Sequence, residues 1–140
     1  MGGHGVKETL HTRPAQLLKA LAQSEEARLR LSLIPLFLEH PEYVAYVQNA
    51  ARQLDPAARL TLLCYYTAAV WLAKKYHLNG ISLPDVFSDE LGVNLADDPE
   101  ANLQALAKRH KELSGSFVNW LATYQHAEQV WRKGLEYQGG

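Results

Sequence analysis

From Pro56 to Tyr76 the chain spells a helix with no polar side. Leu60, Leu62, Leu63, Cys64, Tyr65, Tyr66, Ala68, Ala69, Val70, Trp71 and Leu72 leave no stripe for water. A helix that is apolar all round must be enclosed by other elements. Its ends are marked: Asp55-Pro56 supplies a cap and a first-turn proline, Lys74 and Lys75 suit the negative end of the dipole, and Asn79-Gly80 supplies a stop. Its uncharged core, Leu60 to Ala73, is shorter than the roughly 20 residues a bilayer span needs. These features predict an all-α protein, a compact bundle of five to six helices around a central apolar helix at about 56–76, with no membrane segment.

The neighbouring text is helical as well. Residues 1–11, glycine-rich at the start, read as a flexible tail ahead of a single helical domain over 12–137, since 140 residues suit one core. Pro14 opens a first helix with Leu17, Leu18 and Leu21 on one face. Ser24-Glu25-Glu26 opens a second. Ala27, Leu29, Leu31 and Leu33 then alternate with polar residues, a strand period, yet Leu, Arg and Ala are helix formers and decide for helix. On that helix Arg28, Ser32, Pro35 and Glu39 share a face, so Pro35 is expected to kink it on its wet side. His40-Pro41-Glu42 begins a third helix with Val44, Val47, Ala51 and Leu54 aligned, and Pro84–Leu91, closed by Gly92, a short one in the long connection 81–98. Similar starts at Ser24, Asp55 and Asp98 hint at a helical repeat, but every helix start favours this chemistry.

The C-terminal section carries the most regular pattern. Leu103, Leu106, His110, Leu113, Phe117, Trp120, Tyr124, Ala127 and Trp131 follow a 3-4-3-4 spacing. The register passes unshifted through Ser114-Gly115-Ser116, which favours one long helix from about Pro99 to Lys133. The alternative is two helices with Ser116 capping the second. The end of the stripe holds more aromatic surface than a terminal helix needs for its own burial. Trp120, Tyr124 and Trp131 are therefore candidate interface anchors for a protein partner or for self-association.

Several function classes find no support. A formal net charge of −1, with 14 basic and 15 acidic residues, gives no field to draw the chain onto nucleic acid. The single cysteine, Cys64, excludes an internal disulfide and reads as a buried, inert thiol. No His-x-x-x-His pair occurs, and His4 and His11 lie in or near the flexible tail, so no metal or other cofactor is expected. No glycine-rich phosphate loop or Gly-x-Ser-x-Gly elbow occurs. A different class of function remains open, a pocket between helices lined by Tyr65, Tyr66, Trp71 and His110, binding a small ligand or performing chemistry on it. Adjacent tyrosines 65 and 66 cannot both bury their hydroxyls without partners, so one should reach a rim. The N-terminus lacks the order of a signal peptide, which points to the cytoplasm.

The runs Arg28–Glu42 (RLRLSLIPLFLEHPE) and Leu63–Trp71 (LCYYTAAVW) resemble helical proteins found alongside minimal nucleotidyltransferases in prokaryotes. The resemblance implies an accessory or partner role and transfers no catalytic residue, because the chain has no Gly-Ser followed by Asp-x-Asp. The leading expectation is a non-catalytic helical interaction module acting through its C-terminal aromatic stripe. The pocket reading comes second and a nucleic-acid-associated regulator third.

Overall fold

The computed structural model describes residues 13–78 and 83–139, with side chains to 135, so the N-terminal tail expected at 1–11 lies outside the described residues. The elements are α1 (Pro14–Gln23), α2 (Ala27–Leu31), α3 (Leu33–Glu39), a 3-10 turn (Pro41–Tyr46), α4 (Val47–Arg52), α5 (Pro56–Lys75), α6 (Ser88–Leu91), α7 (Pro99–Ser114) and α8 (Trp120–Gly139). The protein is an all-α bundle, and among the described residues no helix is long and apolar enough to cross a membrane.

Helix α5 is the axis of the fold. From Leu62 to Ala73 every residue is buried, enclosed by α7 and α3, and further by α1, α4 and α8. The Asp55 carboxylate accepts the Ala58 amide at 2.9 Å, which caps the start. The stop differs from the one expected at Asn79-Gly80, residues that lie outside those described. His77 adopts φ +49, its amide donates to Lys74 O and the Leu78 amide donates to Ala73 O, both at 3.2 Å. That pair of bonds is a Schellman closure, built here on a non-glycine residue.

Pro35 acts as the sequence suggests, with a sharper result. Lacking an N–H, it cannot bond the Leu31 carbonyl, and the helix breaks at Ser32 into α2 and α3. The Ser32 hydroxyl instead donates to Leu29 O at 2.5 Å. The long connection is also less helical than expected. Asp85 accepts the Ser88 amide at 3.1 Å, and α6 starts at Ser88, leaving Pro84 outside the helix. Pro84 O accepts the Tyr66 hydroxyl at 2.6 Å, and Leu83, Phe87, Leu91 and Val93 are buried along this segment. Its far end is clasped by Asn102, whose amide exchanges bonds with Ala96 N (2.7 Å) and Ala96 O (3.0 Å).

The C-terminal section is two helices. Gly115 takes φ +66 and donates to Lys111 O, ending α7 with a left-handed residue. Asn119, rather than Ser116, caps α8, accepting the Ala122 amide at 3.0 Å. Helix α8 then packs back on α7 and α3, and touches α5. One polar cluster ties these elements together. The buried Glu128 carboxylate on α8 accepts bonds from Lys75 Nζ (2.8 Å) and the Tyr76 hydroxyl, while Lys75 also reaches Glu100 on α7 at 2.9 Å. Burial opposes the Lys75 charge, but bonds to the two carboxylates outweigh it and hold its pKa above the usual lysine range.

Candidate functional site

The break at Ser32 and the return of α8 leave a cleft of about 700 Å³ between them. One wall is α2 and the start of α3, with Arg28, Arg30, Leu31, Ser32 and Pro35; the other is α8, with Trp120, Thr123, His126, Ala127 and Val130. Tyr65, from the central helix, forms the floor. Small-ligand sites occupy roughly 300–1,000 Å³ and are mostly apolar with a few placed polar groups, and this cleft matches that description.

Adjacent positions on a helix point about 100° apart, so Tyr65 and Tyr66 part company. Tyr66 turns into the core, edge-on to Phe37 (4.9 Å) and Phe87 (5.7 Å), its hydroxyl held by Pro84 O. Tyr65 is 4% exposed, and among the described residues its hydroxyl has no hydrogen-bonding partner. Among the described residues the sealed, unpartnered polar side-chain atoms are Trp71 Nε1, Ser88 Oγ and Trp120 Nε1; the Tyr65 hydroxyl is not one of them, and Tyr65 lines the cleft. Burial pushes its pKa up to about 12, against a lowering pull from the positive charge of Arg30. Arg30 gives Nη1 to Ser24 O at 2.8 Å and forms no ion pair among the described residues.

Behind the floor stands an aromatic stack. The His110 ring lies on Trp120 at 3.6 Å and 11°, and Tyr65 meets His110, Trp120 and Tyr124 edge-on at 6.0, 6.5 and 6.2 Å. His110 Nδ1 and the Tyr124 hydroxyl are 2.7 Å apart and share a hydrogen bond joining α7 to α8. Burial pushes the imidazole down to about 4, so it is neutral at pH 7.

The expected pocket of Tyr65, Tyr66, Trp71 and His110 is thus divided. Tyr65 lines the cleft, His110 supports it from behind, and Tyr66 and Trp71 do not line it. The expected interface set is also divided. Tyr124 is buried and Trp131 is 4% exposed, packed edge-on to Tyr76 at 5.3 Å, while Trp120 is half-buried on His110. The fold-back of α8 directs this stripe inward, so the surplus aromatic surface is consumed within the chain. The exposed part of the pattern is elsewhere. Phe117 is 96% exposed, next to Val118 and near Leu113, both also exposed.

The cleft wall of Arg28, Ser32 and Pro35 was visible in the sequence as one face, but it reads there as a wet face. Arg30, Thr123, His126 and Val130 carried no such signal. Cys64 is fully buried and its thiol is pushed up to about 12 by burial. Among the described residues no group of three or more His, Cys, Asp or Glu side chains is placed to hold a metal ion. No protein-family model, curated protein or solved structure matches the chain.

Proposed function

We propose that the protein is a non-catalytic helical binding module that takes a small apolar or amphipathic molecule into the cleft between α2–α3 and α8. The observation that carries this reading is Tyr65, a 4% exposed tyrosine whose hydroxyl has no partner among the described residues and faces an apolar-walled cleft. A phenol hydroxyl both donates and accepts, so at this cleft it can bond a polar group of a ligand. The test uses the neutral fluorescent probe N-phenyl-1-naphthylamine. It should bind the wild type saturably and lose binding in Ala122→Trp, where an exposed cleft residue is enlarged without touching the core. Equal binding by both proteins would refute the cleft as the site.

A second reading, an interaction module or accessory subunit, is favoured by Phe117, Val118 and Leu113. These exposed apolar side chains surround the loop between α7 and α8 and suit an anchor for a protein partner. The resemblance to proteins accompanying minimal nucleotidyltransferases fits such a role. Phe117→Ser leaves the core untouched, so loss of self-association or of partner capture with an unchanged melting temperature would support it. The cleft is preferred because it combines shape with polar and charged groups at its lining, Tyr65 and Arg30, whereas the loop offers exposure alone.

A further inference from the structure

Taking the cleft reading as its basis, we infer that the cleft is selective for anionic amphiphiles, molecules with a carboxylate-type head and an apolar tail, and that the head is held by the Tyr65 hydroxyl and the Arg30 guanidinium. Three observations converge on this class. The side chains around the cleft include Arg28, Arg30 and His126 and no aspartate or glutamate. Charge in the cleft is therefore one-signed, although the whole chain carries −1. Second, the cations are under-used by the protein itself. Among the described residues Arg30 bonds only a backbone carbonyl, and Arg28 reaches Glu26 at 3.9 Å with a side chain that is almost wholly exposed. Third, Tyr65 lines the same cleft as Arg30, its hydroxyl has no acceptor among the described residues, and the charge of Arg30 is felt there.

A carboxylate oxygen accepts from a phenol and a guanidinium together, and hydrogen bonds to a charged group are the strong ones. The remaining surroundings, Leu31, Pro35, Trp120, Ala127 and Val130, suit a hydrocarbon tail. A cationic amphiphile would meet like charge at the same point and leave the tyrosine unmatched, which a site tolerates poorly. A neutral alcohol would satisfy Tyr65 and gain nothing from Arg30.

The experiment compares three probes of equal tail length, decanoate, decanol and decyltrimethylammonium, each below its micelle-forming concentration. They are titrated by calorimetry into the full chain and into Ala122→Trp, Tyr65→Phe and Arg30→Gln. Decanoate should bind at least about tenfold tighter than decanol, since one charge-assisted bond is worth that much. Arg30→Gln should remove most of that advantage and leave decanol affinity within about twofold, whereas Tyr65→Phe should weaken both, decanoate more than decanol. Tyr65→Phe deletes a hydroxyl with no described protein partner, so it remains a valid test even if Arg30→Gln loosens the turn at Ser24. If decanol or the cation binds as well as decanoate, and Ala122→Trp abolishes all of it, the head-group inference is overturned while the cleft stands as a binding site. If no probe binds, or Ala122→Trp changes nothing, both the inference and the cleft reading fall.

Discussion

His110 makes the chain's stability depend on acid in a way that can be worked out in advance. The imidazole is 2% exposed, stacked on Trp120 and bonded to Tyr124, with its pKa pushed down to about 4. In the unfolded chain the same group titrates near 6.5. Between those values the unfolded state binds a proton that the folded state refuses, so stability must fall as pH falls. The contribution is fully present above about pH 6.5, declines from there to about 4, and declines no further below it. The interval between the two pKa values corresponds to about 3 kcal/mol, a large share of the 5–15 kcal/mol of a typical domain. Urea unfolding should be followed from about pH 7.5 to about pH 4 for the wild type and for His110→Gln. Glutamine keeps a partner for the Tyr124 hydroxyl and does not titrate, and every other ionisable group is common to both proteins. The wild type should lose about 3 kcal/mol more than the variant over that range. Parallel profiles would refute the reasoning, and would mean that His110 is protonated in the fold or hydrated.

Three further outcomes follow from single features. Glu128→Ala should cost about 2–3 kcal/mol, discounted from a fully buried pair because Lys75 is partly exposed; in a double-mutant cycle by urea unfolding, Lys75→Met should cost much less once Glu128 is gone. His77→Gly should raise stability by about 0.5–1 kcal/mol, because φ +49 strains histidine and suits glycine; thermal melting reads it as a higher midpoint. Gly115→Ala should cost about 1 kcal/mol from φ +66 alone, since a Cβ there meets nothing within 4 Å, and a melting temperature unchanged within error would contradict it.

The features that sequence made legible were the local ones. Asp55 and Asp98 do cap α5 and α7, accepting the Ala58 and Glu100 amides, and the all-apolar text of α5 does lie at the centre. Local chemistry sufficed because a cap is settled within three residues of chain. The break after Ser114 was missed for a physical reason. The stripe keeps its spacing on both sides because α7 and α8 face a common core, and a preserved count says nothing of the direction in which the second helix travels. Asn119, three residues before Ala122, was the overlooked cap. The inward turn of Tyr124 and Trp131 follows from that reversal, and so does the exposure of Phe117, which the stripe would have buried. The cleft was legible only in fragments. Arg30 and Tyr65 belong to different helices, and their meeting with Thr123 and His126 is set by long-range packing that no periodicity encodes.

The segment from Leu83 to Ala96 has a consequence for how the chain can vary. It is a connection, yet it works as a strap. Leu83, Phe87, Leu91 and Val93 are driven into the body of the protein, Pro84 is tied to Tyr66, and Ala96 is tied to Asn102. Between fixed attachment points, an added or deleted residue must either pull a buried side chain out or break a tie. The five residues from Gly115 to Asn119 bury no side chain, and their bonds are local ones, such as the Asn119 cap. An added or deleted residue should therefore cost less in the turn between α7 and α8 than between Leu83 and Ala96, although the latter segment is the longer of the two.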